Sequence, residues 1–238
     1  MPTDAGYTYE GTELDLFAEA HNWKAYWLKQ IARYMRGRVL EVGAGQGTNT
    51  GAFLNLPSVD EVTCLEPDAQ LLETLQLAHP AVDARVGTLA NLDAKAAFDT
   101  IVYIDVLEHI EDDSSELKRA AMHLASGGHL IVLSPAHPWL FTPFDAAIGH
   151  YRRYTKPMLR AITPPMLQMV ESFYLDSVGM VLASAANKLL LKQAAPTPGQ
   201  IALWDRVMVP MSRLVDPLLQ RKTGKTVVGV WTPQRDGA

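Results

Sequence analysis

The sequence predicts an α/β fold: an open, mostly parallel sheet of seven strands with helices on both faces. Three observations carry that expectation. From Arg38 to Ser134 short β-branched runs alternate with helical stretches, the order in which crossover helices feed parallel strands. The first run ends in glycines at alternate positions, Gly43, Gly45 and Gly47, where such a sheet meets its ligands. The chain has 238 residues, 48% of them hydrophobic and 20% charged, enough for one sizeable core and too apolar for wholesale disorder.

A helix comes first, because LDLFAEAHNWKAYWLKQIARYM sets Leu16, Ala20, Trp23, Trp27 and Ile31 along one face, where core packing is expected. Strands follow at 38–42 (RVLEV), 61–65 (EVTCL), 83–86 (DARV), 98–104 (FDTIVYI) and 129–134 (HLIVLS). Before the last of these a helix spans Ser114 to Ser126, with Asp113 and Glu116 at capping-box spacing and Gly127 and Gly128 as its stop. A loop rich in Pro, aromatic and basic residues runs from Pro135 to Tyr154, and the next helix takes Thr155 as cap with Pro157 in its first turn. MVESFYL and TVVGVW supply the last two strands. Between them an apolar helix pair, interrupted by QAAPTPG at 193–199, makes a C-terminal helical insertion. The whole chain, 1–238, reads as a single domain: a cofactor-binding core at 38–134, then a substrate loop and helical lid at 135–225.

Composition excludes several classes. A net charge of -5 and a pI near 5.8 argue against a nucleic-acid partner, which calls for a basic face. Cys64 is the one cysteine, so there is no internal disulfide and no cysteine zinc site, and it reads as a buried strand thiol. The start of the chain lacks a basic region followed by an apolar run, and no stretch reaches the roughly 18 apolar residues of a membrane span. A cytoplasmic location is expected.

The glycine turn narrows the ligand. A dinucleotide fingerprint needs its third glycine where Thr48 stands, and no GK[ST] follows to make a phosphate loop. A different adenosine cofactor is therefore expected. Glu66 ends the second strand at the spacing that suits an acceptor for both ribose hydroxyls. Asp105 ends the fourth strand on the same sheet edge, where an acid suits a cofactor carrying positive charge.

VLEVGAGQG, then LEPD at 65–68, then YIDVLEHIED at 103–112 resemble the successive motifs of class I S-adenosylmethionine-dependent methyltransferases, a match that covers residues 38–134. The resemblance implies a Rossmann-like fold with S-adenosyl-L-methionine as cofactor and S-adenosyl-L-homocysteine as product. It also implies a cofactor site made of Glu41, Gly43, Ala44, Gly45, Gln46 and Gly47 under the amino-acid part, Glu66, Pro67 and Asp68 at the ribose, Thr88 and Leu89 at the adenine, and Asp105. LFAEAHNWKAY resembles the lead-in helix of bacterial members, whose side chains close over the cofactor.

Methyl transfer is an in-line displacement at carbon, so only an acceptor proton calls for a named base. Asp105, Glu108 and His109 follow the fourth strand, where the methyl group is expected. His109 is the first choice as base, with Asp105 beside it. No metal is assigned, because spacing fixes no further ligand for these three. The segment 136–156 holds Trp139, His150, Tyr151, Arg152 and Arg153, and paired arginines beside aromatics suit an anionic group or a stacked sugar. It resembles the HxRRY segment of bacterial methyltransferases encoded with glycan and secondary-metabolite pathways. In the insertion, Leu203, Val207, Met211, Leu214 and Leu218 fall along one side; core packing is expected first, with a lid, a dimer contact or a membrane-surface face as alternatives.

The expected function is methyl transfer to a small molecule or glycoconjugate, with oxygen favoured because an acid and a histidine sit together. An N- or C-methyltransferase of a natural-product pathway and a non-catalytic cofactor-binding protein are the alternatives. An anionic or lipid-linked acceptor, and a monomer or a homodimer, all stay open.

Overall fold

The computed structural model describes residues 8, 9, 11, 14–189 and 196–234, without the side chains of 185–189. The reading that no leader starts the chain rests on residues 1–17, of which 1–7, 10, 12 and 13 lie outside those described, as do 193–195 of the expected linker. One seven-stranded sheet runs in the order β3-β2-β1-β4-β5-β7-β6. Its strands are β1 (Gly37–Val42), β2 (Val59–Glu66), β3 (Asp83–Val86), β4 (Phe98–Ile104), β5 (Leu124–Pro135), β6 (Leu167–Leu175) and β7 (Thr226–Pro233). All neighbours pair in parallel except β7, which is antiparallel to both β5 and β6. The order reverses between β1 and β4, and a sheet of this kind opens its ligand crevice at that switch point.

The helices are α1 (Leu14–Ala18), α2 (His21–Ile31), α3 (Thr50–Leu54), α4 (Ala69–Ala78), α5 (Asp113–Met122), α6 (Pro143–Ala147), α7 (Lys156–Ala161), α8 (Ser177–Leu189), α9 (Pro198–Leu203) and α10 (Val209–Leu218). Because successive strand side chains point to opposite faces, the central strands split their apolar residues between two cores. Ile101, Tyr103, Leu130 and Val132 join α5 through Leu117 and Ala120 on one face. Val39, Val102, Ile131 and Leu133 pack with Trp23, Trp27 and Ile31 of α2 and Phe53 of α3 on the other. Each such fully buried aliphatic side chain contributes about 1.5–3 kcal/mol, so both faces must be covered for the sheet to stand.

Three expectations about elements change. The N-cap of α5 is Asp112, whose side chain accepts from the Ser115 amide, and Asp113 is freed for another task. The same helix stops at Met122, and Gly127 and Gly128 lie inside a longer β5 that resumes pairing with β4 after a register shift. The lead-in segment breaks into α1 and α2, with Ala20 at the start of the second.

The insertion also turns the other way. Leu203, Val207, Met211, Leu214 and Leu218 are all exposed, Leu218 by 82%. The opposite side packs inward because two buried carboxylates anchor it to helix starts elsewhere. Asp205 accepts from the Asn22 and Trp23 amides at 3.2 and 2.8 Å, capping α2 in trans. Asp216 accepts from the Asp176 and Ser177 amides at 2.7 and 3.0 Å and from the Tyr26 hydroxyl at 2.7 Å. A π-helical turn, Trp204–Met208, brings Trp204 and Asp205 inward together. Among the described residues no helix is long and apolar enough to cross a membrane.

Candidate active site

A cavity of about 280 Å³ opens at the carboxyl edge of the sheet, over the switch point. Its floor is the turn after β1. Gly43 and Gly45 take φ values of +68° and +55°, which L side chains rarely adopt. A Cβ on Gly43 would strike Val106 at 2.7 Å, whereas one on Gly45 would meet no atom within 4 Å. Gly43 is thus fixed by packing; Gly45 leaves its backbone bare toward the space a ligand would fill. Ala44 and Gln46 line the same floor, and Gly47 sits outside it, its carbonyl against His79 Nε2 at 3.1 Å.

Glu66 closes one side. Its Oε2 accepts from the Gly45 amide at 2.8 Å and its Oε1 from the Asp68 amide at 2.9 Å, so one carboxylate ties the ends of β1 and β2 together while facing the cavity. Burial raises its pKa, and the two amides oppose that rise. Pro67 is beside it in the wall. Asp68 caps α4 through the Gln70 and Leu71 amides, and its other oxygen takes the Tyr9 amide at 2.7 Å.

Five residues expected at the cofactor do not line the cavity: Gly47 and Asp68, held as just described, and Glu41, Thr88 and Leu89. Glu41 is buried beneath the turn, accepting from the Thr50 hydroxyl at 2.6 Å, and burial pushes its carboxyl up to about 7. Thr88 caps the short 3-10 turn Leu89–Asn91, with its amide and the Asn91 side chain completing a capping box. Leu89 packs into the core beside α5. Their side chains are consumed by local capping and packing.

The opposite wall comes from the turn after β4. Asp105 takes φ +54° and presents its carboxyl to the cavity; the surrounding protein mass raises its pKa to about 6, against the pull of His150, Lys225 and Arg153. Glu108 is fully buried. One of its oxygens accepts from the Ser134 hydroxyl at 2.9 Å; the other, Oε1, has no hydrogen-bond partner. His109 stacks edge-on against His150, with ring centroids 4.4 Å apart. Burial first, and then His150, lower its pKa to about 3, so it is neutral at pH 7.

The loop after β5 roofs this wall. His150 Nδ1 lies 3.0 Å from Asp145 Oδ1, and the same carboxylate receives Arg153 Nε at 2.8 Å and Nη2 at 2.9 Å. His150, Arg153 and Asp145 line the cavity. Trp139, Tyr151 and Arg152 do not. Trp139 and Tyr151 are exposed by 60% and 54%, and Arg152 is drawn away to Asp113 at 2.5 Å and the Glu111 carbonyl at 2.6 Å. Neither arginine is left for an anion, since each already has a carboxylate.

Phe17, Trp23 and Lys24 of the lead-in segment line the cavity, as does Trp27, which is expected in the core; residues that the sequence does not single out complete it: Phe144, Ile148, Trp204, Lys225 and Thr226. Lys225 had a legible signal. It precedes β7, and an antiparallel strand starts at the edge where its parallel neighbours end. Its ammonium sits 3.7 Å from the centroid of the Trp204 ring and 3.5 Å from Asp176.

Comparison with known proteins agrees with this geometry. Residues 40–130 match the family model described as a methyltransferase domain. The chain is 28% identical over 106 residues to a ubiquinone biosynthesis O-methyltransferase of Bradyrhizobium sp. (strain ORS 278), covering 43% of this chain and 41% of that one. It is 31% identical over 119 residues to a probable S-adenosylmethionine-dependent methyltransferase of Mycolicibacterium smegmatis, covering 46% of each. The chain thus spans less than half the length of these curated relatives. Among solved structures, coclaurine N-methyltransferase bound to N-methylheliamine and S-adenosyl-homocysteine superposes with a TM-score of 0.61 at 11% identity, over 90% of this chain and 72% of the other. An S-adenosylmethionine-dependent methyltransferase from Clostridium acetobutylicum does so at 0.57 and 9%, over 91% and 93%; both likenesses concern the fold.

A glycine turn bare toward the cavity, a carboxylate bridging β1 and β2 and the reversed sheet order thus fall within a region, residues 40–130, that is similar to a methyltransferase domain, on a fold shared with S-adenosylmethionine-dependent methyltransferases. The bare Gly45 backbone beside Glu66 fits S-adenosylmethionine, the cofactor that the name of the Mycolicibacterium relative gives for that protein.

Proposed function

We propose that the chain methylates a hydroxyl oxygen on a small, largely apolar acceptor. The observation that carries this reading is the placement of Asp105: a carboxyl open to the same cavity as Glu66, across the β1/β4 switch point. Gly43, Ala44, Gly45, Gln46, Glu66 and Pro67 hold the cofactor on this reading, with Lys24, Trp23 and Trp27 of the lead-in helix closing over it. S-adenosylmethionine supplies an electrophilic methyl carbon bound to a sulfonium sulfur.

The chain's own part is to position the acceptor and take its proton. Asp105 is the proton acceptor, because its carboxyl faces the cavity and is ionised above about pH 6. His109, neutral and buried at about 3, is too weak a base for that role. Phe144, Ile148 and Trp204 give the acceptor apolar walls, which suits a ring or chain bearing the hydroxyl. The name of the Bradyrhizobium relative, an O-methyltransferase, supports oxygen as the acceptor atom. Incubating the purified chain with S-adenosylmethionine and a panel of phenols, catechols and aliphatic alcohols, read by mass spectrometry, tests the proposal. Methylation of hydroxyls supports it; methylation of amines in a parallel panel, with none of hydroxyls, would overturn it.

A further inference from the structure

We infer that Glu108, His109 and His150 form a binding site for one divalent first-row transition cation, facing the cavity beside Asp105. Each residue offers a ligand atom, and the three atoms lie within 4.8 Å of one another. Glu108 Oε1 and His150 Nε2 are 3.9 Å apart, too far for a hydrogen bond and less than two metal–ligand bonds of about 2.0–2.2 Å laid end to end. A single ion bonded to both therefore fits with only small side-chain rotations.

The buried oxygen is the second, independent sign. Glu108 has no exposed surface, and Oε1 points at His150 without any hydrogen-bond partner among the described residues. An orphaned carboxylate oxygen is costly, and native structures seldom keep one without an ion or water. The outer contacts are also those of a ligand set. His150 Nδ1 is held by Asp145, leaving Nε2 to point inward; the His109 ring packs edge-on against that of His150; Glu108 Oε2 is held by Ser134.

Charge agrees. Asp145 is matched by Arg153, and Asp176 by Lys225, whereas no Lys or Arg among the described residues is within ion-pair distance of Asp105 or Glu108. Two carboxylates at one wall are the charge that a divalent ion would balance. Two imidazoles and a carboxylate favour the zinc, manganese, iron or cobalt type over magnesium or calcium. Three protein ligands leave positions open for oxygen, so an acceptor hydroxyl can bind there and lose its proton more readily. That role rests on the proposed O-methylation; the binding site does not.

The test uses the full, untagged chain, stripped of metal and titrated with Co²⁺. Visible absorption bands and calorimetry are expected to report one ion per chain, with affinity falling at least tenfold in His150→Ala and in Glu108→Gln. Asp145→Asn, which leaves all three ligands in place, is expected to weaken binding by about 10- to 100-fold, the usual effect of removing an orienting partner. Binding of S-adenosyl-homocysteine, measured on every variant, shows that the fold is intact. If the wild-type chain binds S-adenosyl-homocysteine but no Co²⁺, or binds Co²⁺ equally well in all three variants, the cation site is wrong and the methyltransferase reading stands. If Co²⁺ binds and every hydroxyl acceptor fails, the site stands and the proposed O-methylation falls.

Discussion

Asp145 holds His150 and Arg153 at once, with oxygens 3.0 Å from the imidazole Nδ1 and 2.8 and 2.9 Å from the guanidinium nitrogens. Burial alone would raise this carboxyl, but those hydrogen bonds keep it well below the ordinary carboxylate range. A depressed folded pKa stabilises the protein above the unfolded value near 3.9, and that contribution drains away as pH falls below it. Asp145→Asn is expected to cost about 3–5 kcal/mol at pH 7, the usual loss when one partner of a buried pair is removed. Chemical denaturation at pH 7 and pH 3.5 checks this: the gap between wild type and variant should shrink at the lower pH.

Glu41 behaves in the opposite sense. Burial raises its carboxyl to about 7, so the folded state favours the protonated form. That preference supports the fold fully below the unfolded value near 4.3 and is lost as pH rises through about 7. Glu41→Gln keeps an acceptor for the Thr50 hydroxyl and removes the ionisation. The variant is expected to gain about 1–3 kcal/mol over wild type at pH 8 and little at pH 4.5. Equal stability of the two at both pH values would show that Glu41 is not desolvated as described.

The adjacent arginines should separate. Arg152 bonds Asp113, which also takes the Tyr154 hydroxyl at 2.7 Å, and lies outside the cavity wall. Arg152→Ala is therefore expected to lower stability by about 1–3 kcal/mol through the unpaired Asp113, with KM for the acceptor unchanged. Arg153→Ala, which releases Asp145 and His150 in the wall, is expected to lower kcat as well as raise KM. Thermal melts beside steady-state kinetics distinguish them, and a raised KM in Arg152→Ala alone would contradict the assignment.

Removing the proposed proton acceptor should show in the chemistry. Asp105→Asn is expected to lower kcat by about 10² to 10⁴ fold while leaving cofactor affinity nearly intact. In the wild type, turnover should rise with pH through about 6 as Asp105 ionises. A variant with full turnover, or a profile flat from pH 5 to 8, rules Asp105 out.

How far the sequence foretold this site depended on how local each signal was. The glycine turn, Glu66 and the alternation in β4 and β5 are properties of short segments, so β3 and β4 were read at their observed ends. Asp105 followed from strand order alone. The ion pairs of Arg152 and Arg153 are not legible in the sequence, because their partners, Asp113 and Asp145, come from different stretches of chain and nothing local says which carboxylate takes which arginine. Asp113 was read as a helix start for the same reason, since Asp112 can cap as well and only the tertiary pairing with Arg152 decides between them. The exposed stripe of α9 and α10 was taken for core because its periodicity is right for either side. The buried faces of Asp205 and Asp216 settle the orientation, and buried carboxylates are rare enough that sequence reasoning discounts them. His150 joins Glu108 and His109 only through the fold of the loop after β5, so spacing could not supply the third ligand.

The most direct measurement is calorimetric titration of S-adenosyl-homocysteine, S-adenosylmethionine and NAD into wild-type chain and Glu66→Gln. Glu66 faces the cavity while bridging Gly45 and Asp68, and it is the residue proposed to take the ribose hydroxyls. The wild type is expected to bind both S-adenosyl ligands and not NAD, and Glu66→Gln to weaken binding by about 1–3 kcal/mol, or roughly 5- to 150-fold, the cost of losing charge-assisted hydrogen bonds. Binding of NAD alone, or S-adenosyl affinity identical in the variant, would contradict the placement of the cofactor over Gly45 and Glu66.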